Sequence, residues 1–174
     1  MLHLLLLRHA KAMPAGNGIA DRDRPLAARG RRDAGLMGEA IATEPPDAVL
    51  CSPAKRTRET LAAVVAHLDK EPSSNFPDDL YDGGGDYGET IAALGGRSQR
   101  LLVIGHNPTI HRTALALTGS GDAALHAMLS GKFPTAALAV IAFEMSEWGA
   151  ISPGSGELLA FRRPRDLGAF DADD

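Results

Sequence analysis

Two arginines and two histidines carry most of the chemical potential of this chain. Arg8-His9 ends the apolar run Leu2–Leu7, Arg56 follows Ser52-Pro53, and His106 sits within Gly105-His106-Asn107-Pro108. A neutral imidazole is a competent nucleophile towards phosphorus, and two guanidinium forks match the oxygens of a tetrahedral dianion. On that chemistry His9 is the candidate nucleophile, Arg8 and Arg56 are phosphate clamps, and His106 is a second imidazole on the same phosphoryl group. An Arg-His pair at a strand end is usually structural, and it is the companion motifs that give this pair its meaning.

These residues need elements to bring them together. Leu2–Leu7 is too short to span a bilayer, which takes roughly 20 apolar residues, and it reads as a strand buried on both faces. Asp47–Cys51 and Leu101–Ile104 read as two more buried strands, each followed at once by polar residues and then a helix. Ser52-Pro53 and Asn107-Pro108 both look like an N-cap followed by proline at the first helical position. Helices are expected over roughly 27–43, from Ser52 through Leu68, around 89–94, after Asn107-Pro108, and over 122–129. Gly30, Gly35 and Gly38 weaken the first of these and mark close packing or a late start. Gly119–Gly121 reads as a turn. Ala136–Phe143 is a clear strand, with Leu158–Phe161 beside it in an edge hairpin.

The expected fold is α/β: three layers, a mostly parallel central sheet with helices on both faces, and one antiparallel edge strand. If the three motif-bearing strands are parallel, their polar ends converge on the carboxyl edge of the sheet, where open α/β folds bind ligands. The 174 residues are expected to form one domain, with a polar and disordered tail over 163–174.

Composition narrows the function. A net charge of −4 argues against a nucleic-acid partner, because phosphate-backbone binding needs a basic face. One cysteine, Cys51, allows neither an intramolecular disulfide nor a cysteine-rich zinc site. No two histidines form a recognised metal pair, so no metal and no cofactor are expected. No signal peptide or membrane span is read, which leaves a cytoplasmic protein as the expectation. Cys51 and Arg56 are separated by four residues, one short of the interval in cysteine phosphatases, and Cys51 reads as a buried strand residue. Gly83–Gly88 fits a dinucleotide glycine pattern, but no apolar strand precedes it.

The ordered set Leu7-Arg8-His9-Ala10-Lys11, Arg24-Pro25-Leu26 with Gly30, Ser52-Pro53-x-x-Arg56-Thr57-x-x-Thr60 and Gly105-His106-Asn107-Pro108 resembles the histidine phosphatase superfamily, which includes the phosphoglycerate mutases. The Arg-Pro-Leu segment, the short length and Pro134-Thr135-Ala136 are more similar to its SixA-like phosphohistidine phosphatases. The resemblance runs from residue 2 to about 162 and implies a phosphoglycerate mutase-like fold. It also implies that His9 is phosphorylated and then hydrolysed, while Arg8, Arg56 and His106 hold the phosphoryl group. Arg24 and Asn107 are placed among the substrate-binding residues. Asp21 and Arg24 read equally well as a pocket rim or as a solvated surface pair. Ala10 stands where many members have glycine, a small change.

Members acting on ordinary esters add a carboxylic acid in the loop after the second helix. Here Leu80-Tyr81-Asp82 makes Asp82 the candidate, with Asp86 and Glu89 behind it, although the usual glutamate is absent. An alkoxide leaving group needs a proton far more than an imidazole does. A doubtful acid therefore favours phosphohistidine in a protein as the substrate. Two other readings stay open: a small-molecule phosphate monoester phosphatase using Asp82 as general acid, and an inactive phospho-protein binding module.

Overall fold

The computed structural model describes residues 1–16, 18–82 and 84–168. In chain order the elements are β1 (Leu2–Arg8), α1 (Ala28–Ala42), β2 (Ala48–Cys51), α2 (Lys55–Val65), β3 (Ser73–Asn75), α3 (Asp79–Asp82), α4 (Gly88–Leu94), β4 (Arg100–Gly105), α5 (Thr109–Leu117), β5 (Thr118–Gly121), α6 (Ala123–Gly131), β6 (Leu138–Phe143) and β7 (Gly156–Arg162). Short 3-10 turns lie at Asp21–Asp23, Trp148–Ala150 and Pro164–Leu167. Among the described residues no helix is long and apolar enough to cross a membrane.

The leucine run does what its uniform hydrophobicity requires. Successive strand side chains face opposite sides of a sheet. Leu2, Leu4 and Leu6 accordingly pack on one face with Ile91, Ile110 and Leu117, while Leu5 and Leu7 pack on the other with Met37, Ile41, Leu61 and Val64. α1 and α2 thus cover one face, and α4, α5 and α6 the other. β1 lies inside the sheet, whose order is β3-β2-β4-β1-β6-β7-β5.

Registers set the height of the three motif loops. Leu7 pairs with Ile104 and Arg8 with Gly105 across the parallel β1–β4 pair, and Cys51 pairs with Ile104 across β2–β4. His9, Ser52 and His106 therefore leave the sheet at nearly the same level. The fold is α/β with a mostly parallel sheet, as expected, but the antiparallel strand is not at an edge. It is β6, which runs antiparallel to both β1 and β7. The edge is instead β5, the Gly119–Gly121 stretch read as a turn, paired parallel to β7. Ser73–Asn75, read only as a helix breaker, forms the opposite edge on β2. Such short polar edges carry no apolar alternation to reveal them.

Two of the three glycines of α1 mark close packing. A Cβ on Gly30 would overlap the Lys11 carbonyl oxygen, and one on Gly38 would lie 2.8 Å from His67 Cδ2 and 3.1 Å from the Ala63 carbonyl oxygen. Gly35 meets only His67 Nε2 at 3.7 Å. Gly30 thus lets α1 press against the chain just beyond His9. Gly30→Ala is expected to cost about 1–3 kcal/mol of stability through overpacking, read as a lower denaturant midpoint with an unchanged m value. The tail expectation is partly corrected: residues 163–168 include an ordered 3-10 turn with Gly168 closing it, while 169–174 lie outside the described residues.

Candidate phosphoryl site

β1 delivers Arg8 and His9 to the sheet edge, and the backbone fixes them there. The His9 N–H donates to the Gly105 carbonyl at 3.1 Å, and the carbonyls of Arg8 and His9 both accept from Ala136 N at 3.1 Å. Ala136 is fully buried and has φ 57, a left-handed conformation unusual for a non-glycine residue. The His9 ring hydrogen-bonds the Ala10 carbonyl through Nδ1 at 2.8 Å. A carbonyl only accepts, so Nδ1 carries the proton and Nε2 keeps its lone pair. His9 is 8% exposed. Burial, with the Arg56 and Arg8 charges adding to it, pushes its pKa down to about 4.

His106 faces His9 with ring centroids 5.2 Å apart. Arg56 Nη2 lies 3.3 Å from His106 Nδ1, and Ser52 Oγ lies 2.7 Å from Nε2. A guanidinium only donates, so Nδ1 accepts and the proton sits on Nε2, directed at Ser52. Burial, then the neighbouring His9 and Arg56, push the His106 pKa down to about 3. Below the loop, Tyr87 Oη accepts from His106 N at 3.0 Å and donates to the Leu80 carbonyl at 3.0 Å. A Cβ on Gly105 would come within 2.6 Å of that tyrosine ring, so glycine is what lets Tyr87 reach the loop.

The arginines are held but not used up. Arg8 Nη1 donates to the Phe133 carbonyl at 2.9 Å, which Asn107 Nδ2 shares at 2.9 Å. Arg56, 5% exposed, donates from Nη1 to the Asp21 carbonyl at 2.7 Å and from Nη2 to Asp21 Oδ2 at 3.0 Å. Arg8 Nε, Arg56 Nε and Asn107 Oδ1 are buried without a hydrogen-bond partner among the described residues. An unpaired buried donor costs roughly 1–3 kcal/mol, a cost that an anion accepting from both Nε–H groups can offset.

The sequence placed Arg8, His9, Arg56 and His106 in one pocket, and the structure brings all four together. Arg24 reaches the rim through Asp21, with Nε 2.9 Å from Asp21 Oδ1 and Nη1 2.9 Å from the Met13 carbonyl. Asn107 supports the loop under Arg8. Asp82 ends α3 exposed to solvent, and among the described residues its carboxylate hydrogen-bonds none of these. The carboxylate on the clamp is Asp21, and the aromatic residue beside His106 is Tyr81, whose ring stands edge-on at 5.6 Å. Neither proline marks a first helical position. Lys55 and Thr109 begin their helices, and the Ser52 hydroxyl is spent on His106 rather than as a cap. Register could have shown this, because Ser52 follows Cys51 just as Gly105-His106 follows the paired Ile104. Cys51 is fully buried, and burial pushes its thiol up to about 12, far from a nucleophilic thiolate.

Neutral imidazoles at this site have a pH consequence. The folded values of His9 and His106 lie below the unfolded value of 6.5, so the unfolded chain takes up protons first as pH falls. Their stability contribution is present above about pH 6.5 and declines until both forms are protonated, near pH 4 for His9. The expected measurement is an imidazole NMR titration in which His9 and His106 stay neutral at pH 5.5. Two midpoints near 6.5 would contradict the burial argument.

The model of the histidine phosphatase superfamily, branch 1, matches residues 4–80. A SixA structure from Nakamurella multipartitia, described as a candidate phosphohistidine phosphatase, is 30% identical, covering 94% of this chain and 96% of its own, with TM-score 0.80. A second SixA candidate, from Agrobacterium tumefaciens, is 29% identical over 94% and 98%, with TM-score 0.76. An uncharacterized protein of Mycobacterium tuberculosis is 42% identical over 165 residues, 91% of this chain and 100% of that protein. The chain belongs to the histidine phosphatase superfamily, and its fold and sequence are SixA-like.

Proposed function

We propose that this protein is a phosphatase that works through a covalent phosphohistidine on His9 and removes phosphate from phosphohistidine in a protein. The observation that carries the reading is the His9 imidazole, with Nε2 unprotonated, set beside two arginines whose buried Nε atoms have no partner among the described residues. His9 Nε2 attacks phosphorus in line, and the phosphorus–leaving-group bond breaks with its electron pair going to the leaving group. Arg8 and Arg56 hold the equatorial oxygens as charge shifts onto them. His106, neutral and oriented by Ser52, borders the same oxygens. Water then attacks the phosphorus of phospho-His9, releasing inorganic phosphate and the free imidazole.

Substrate choice is supported by the absence, among the described residues at the arginines, of a carboxyl group suited to give up a proton: the Asp21 carboxyl is held below its usual range by hydrogen bonds from Tyr81 and Arg56 that outweigh its burial. Asp82 hydrogen-bonds none of Arg8, His9, Arg56 and His106 among the described residues, and an imidazole departs with less help than an alkoxide. The 30% and 29% identical SixA structures are described in the same terms. The test is hydrolysis of a phosphohistidine protein and of small phosphate esters under one set of conditions, expected to favour the former. Asp82→Asn is expected to change either rate by no more than about 3-fold. A loss of about 100-fold confined to esters would assign Asp82 as a general acid and favour an ester substrate.

A further inference from the structure

The loop that carries Asp21 places a carboxylate where none is needed to bind phosphate. Asp21 Oδ2 accepts from Arg56 Nη2 at 3.0 Å and from Tyr81 Oη at 3.0 Å, while Oδ1 accepts from Arg24 Nε at 2.9 Å. The same Arg56 Nη2 reaches His106 Nδ1, so this carboxylate stands one guanidinium away from the histidine pair. Its side chain is 53% exposed whereas that of Arg56 is 7% exposed, which puts the acid at the mouth and the base beneath it. The Tyr81 ring, edge-on to His106, forms a flat wall beside it.

We infer that Asp21, backed by Tyr81, is the leaving-group subsite, accepting a hydrogen bond from the distal ring N–H of a phosphohistidine. The inference rests on the phosphohistidine reading above and says how the site reads that substrate. Cleaving the N–P bond of a neutral phosphorylated ring would expel an imidazolate anion. When the distal nitrogen carries a proton, the bonding pair returns to the proximal nitrogen and neutral imidazole departs. No proton then has to reach the breaking bond, and a carboxylate acceptor holds the ring in its protonated form. An incoming phosphoryl oxygen takes over Arg56 Nη2 and thereby releases Asp21 Oδ2 for the ring. Burial works to raise the Asp21 pKa, but hydrogen bonds from Tyr81 and Arg56 outweigh it and hold the carboxyl below its usual range. That state is poor for donating a proton and right for accepting one. A substrate with an anionic leaving group would instead meet like charge.

The test compares kcat/KM for phosphoimidazole, which has an N–P bond and, once its distal nitrogen is protonated, a ring N–H, with that for an aryl phosphate, which has neither. In Asp21→Asn the ratio of the two is expected to fall by about 10-fold or more, the loss of one charge-assisted hydrogen bond. Asp21→Glu should recover part of the ratio, and circular dichroism checks that each variant is folded. Equal losses on both probes would make Asp21 a support for Arg56 and overturn the inference. Equal gains would make it a plug on the clamp, and a loss confined to the aryl phosphate would make it an ester acid; either result overturns it. If the wild type cleaves both phosphoimidazole and a phosphohistidine protein but the ratio does not move in Asp21→Asn, only this inference fails. If the wild type cleaves the aryl phosphate and neither N–P substrate, the phosphohistidine reading fails, and the subsite with it.

Discussion

Replacing His9 with alanine is expected to lower kcat by about 10⁴-fold or more while leaving anion binding at the site largely in place. The expectation separates nucleophile from scaffold. His9 contributes one side-chain hydrogen bond, to the carbonyl of Ala10, and its backbone position is set by Gly105 and Ala136. Alanine therefore removes the attacking nitrogen but keeps the strand end, and Arg8 and Arg56 remain to bind oxyanions. Vanadate or phosphate titration by fluorescence or calorimetry should give affinities within about 10-fold of wild type, since the charge-assisted hydrogen bonds of the two arginines persist. Retained turnover would mean that another group attacks. Lost anion binding together with lost fold would mean that His9 is structural.

Arg56→Ala is expected to cost about 10³-fold in kcat/KM, the scale at which a guanidinium stabilises a transferring phosphoryl group. Arg56 is the better of the two clamps to test because it ties three parts of the site. Its Nη1 holds the Asp21 carbonyl, and its Nη2 spans Asp21 Oδ2 and His106 Nδ1. Lysine offers a single point of charge and cannot span those partners, so Arg56→Lys should recover little. Steady-state kinetics of both variants, with the His106 imidazole followed by NMR, checks this account. Recovery to near wild-type rates by lysine would show that charge alone suffices and that the fork geometry is incidental.

The parts of the site that were legible in the sequence were those written as strand, polar break, helix. Leu2–Leu7, Asp47–Cys51 and Leu101–Ile104 are apolar enough to be recognised as buried, and parallel strands with helical crossovers bring their ends together whatever the detail of the loops. That logic alone brought His9, Arg8, Arg56 and His106 into one pocket. What it could not give was the use of short polar side chains. Ser52 satisfies the local pattern of a helix cap, yet its hydroxyl bonds His106 from the neighbouring strand, a tertiary contact with no local signature. Asp21 and Tyr81 are 60 positions apart and meet through one hydrogen bond between a 3-10 turn and a four-residue helix. Neither element has a periodicity to read, and the sequence pattern points instead to Asp82, one residue away from the side chain that does reach the site. The interior position of β6 was hidden for a related reason: its outer cover, β7 followed by β5, ends in a glycine-rich strand that resembles a turn.

The stored cost of the site lies in the same places. Ala136 is held at positive φ beneath the carbonyls of Arg8 and His9, and two buried guanidinium nitrogens lack partners. Both features are unfavourable for folding; Ala136 lies in the turn before β6, Arg8 ends β1 and Arg56 lies in the first turn of α2.

The central claim is the covalent intermediate, and rapid-quench trapping tests it most directly. Enzyme mixed with a substrate labelled in its phosphoryl group, then quenched in alkali, is predicted to carry label that is stable to base, lost in acid and mapped by mass spectrometry to His9. Label should be absent from His9→Ala. Turnover with no acid-labile phosphoenzyme at any quench time, or label found on a residue other than His9, would contradict the account.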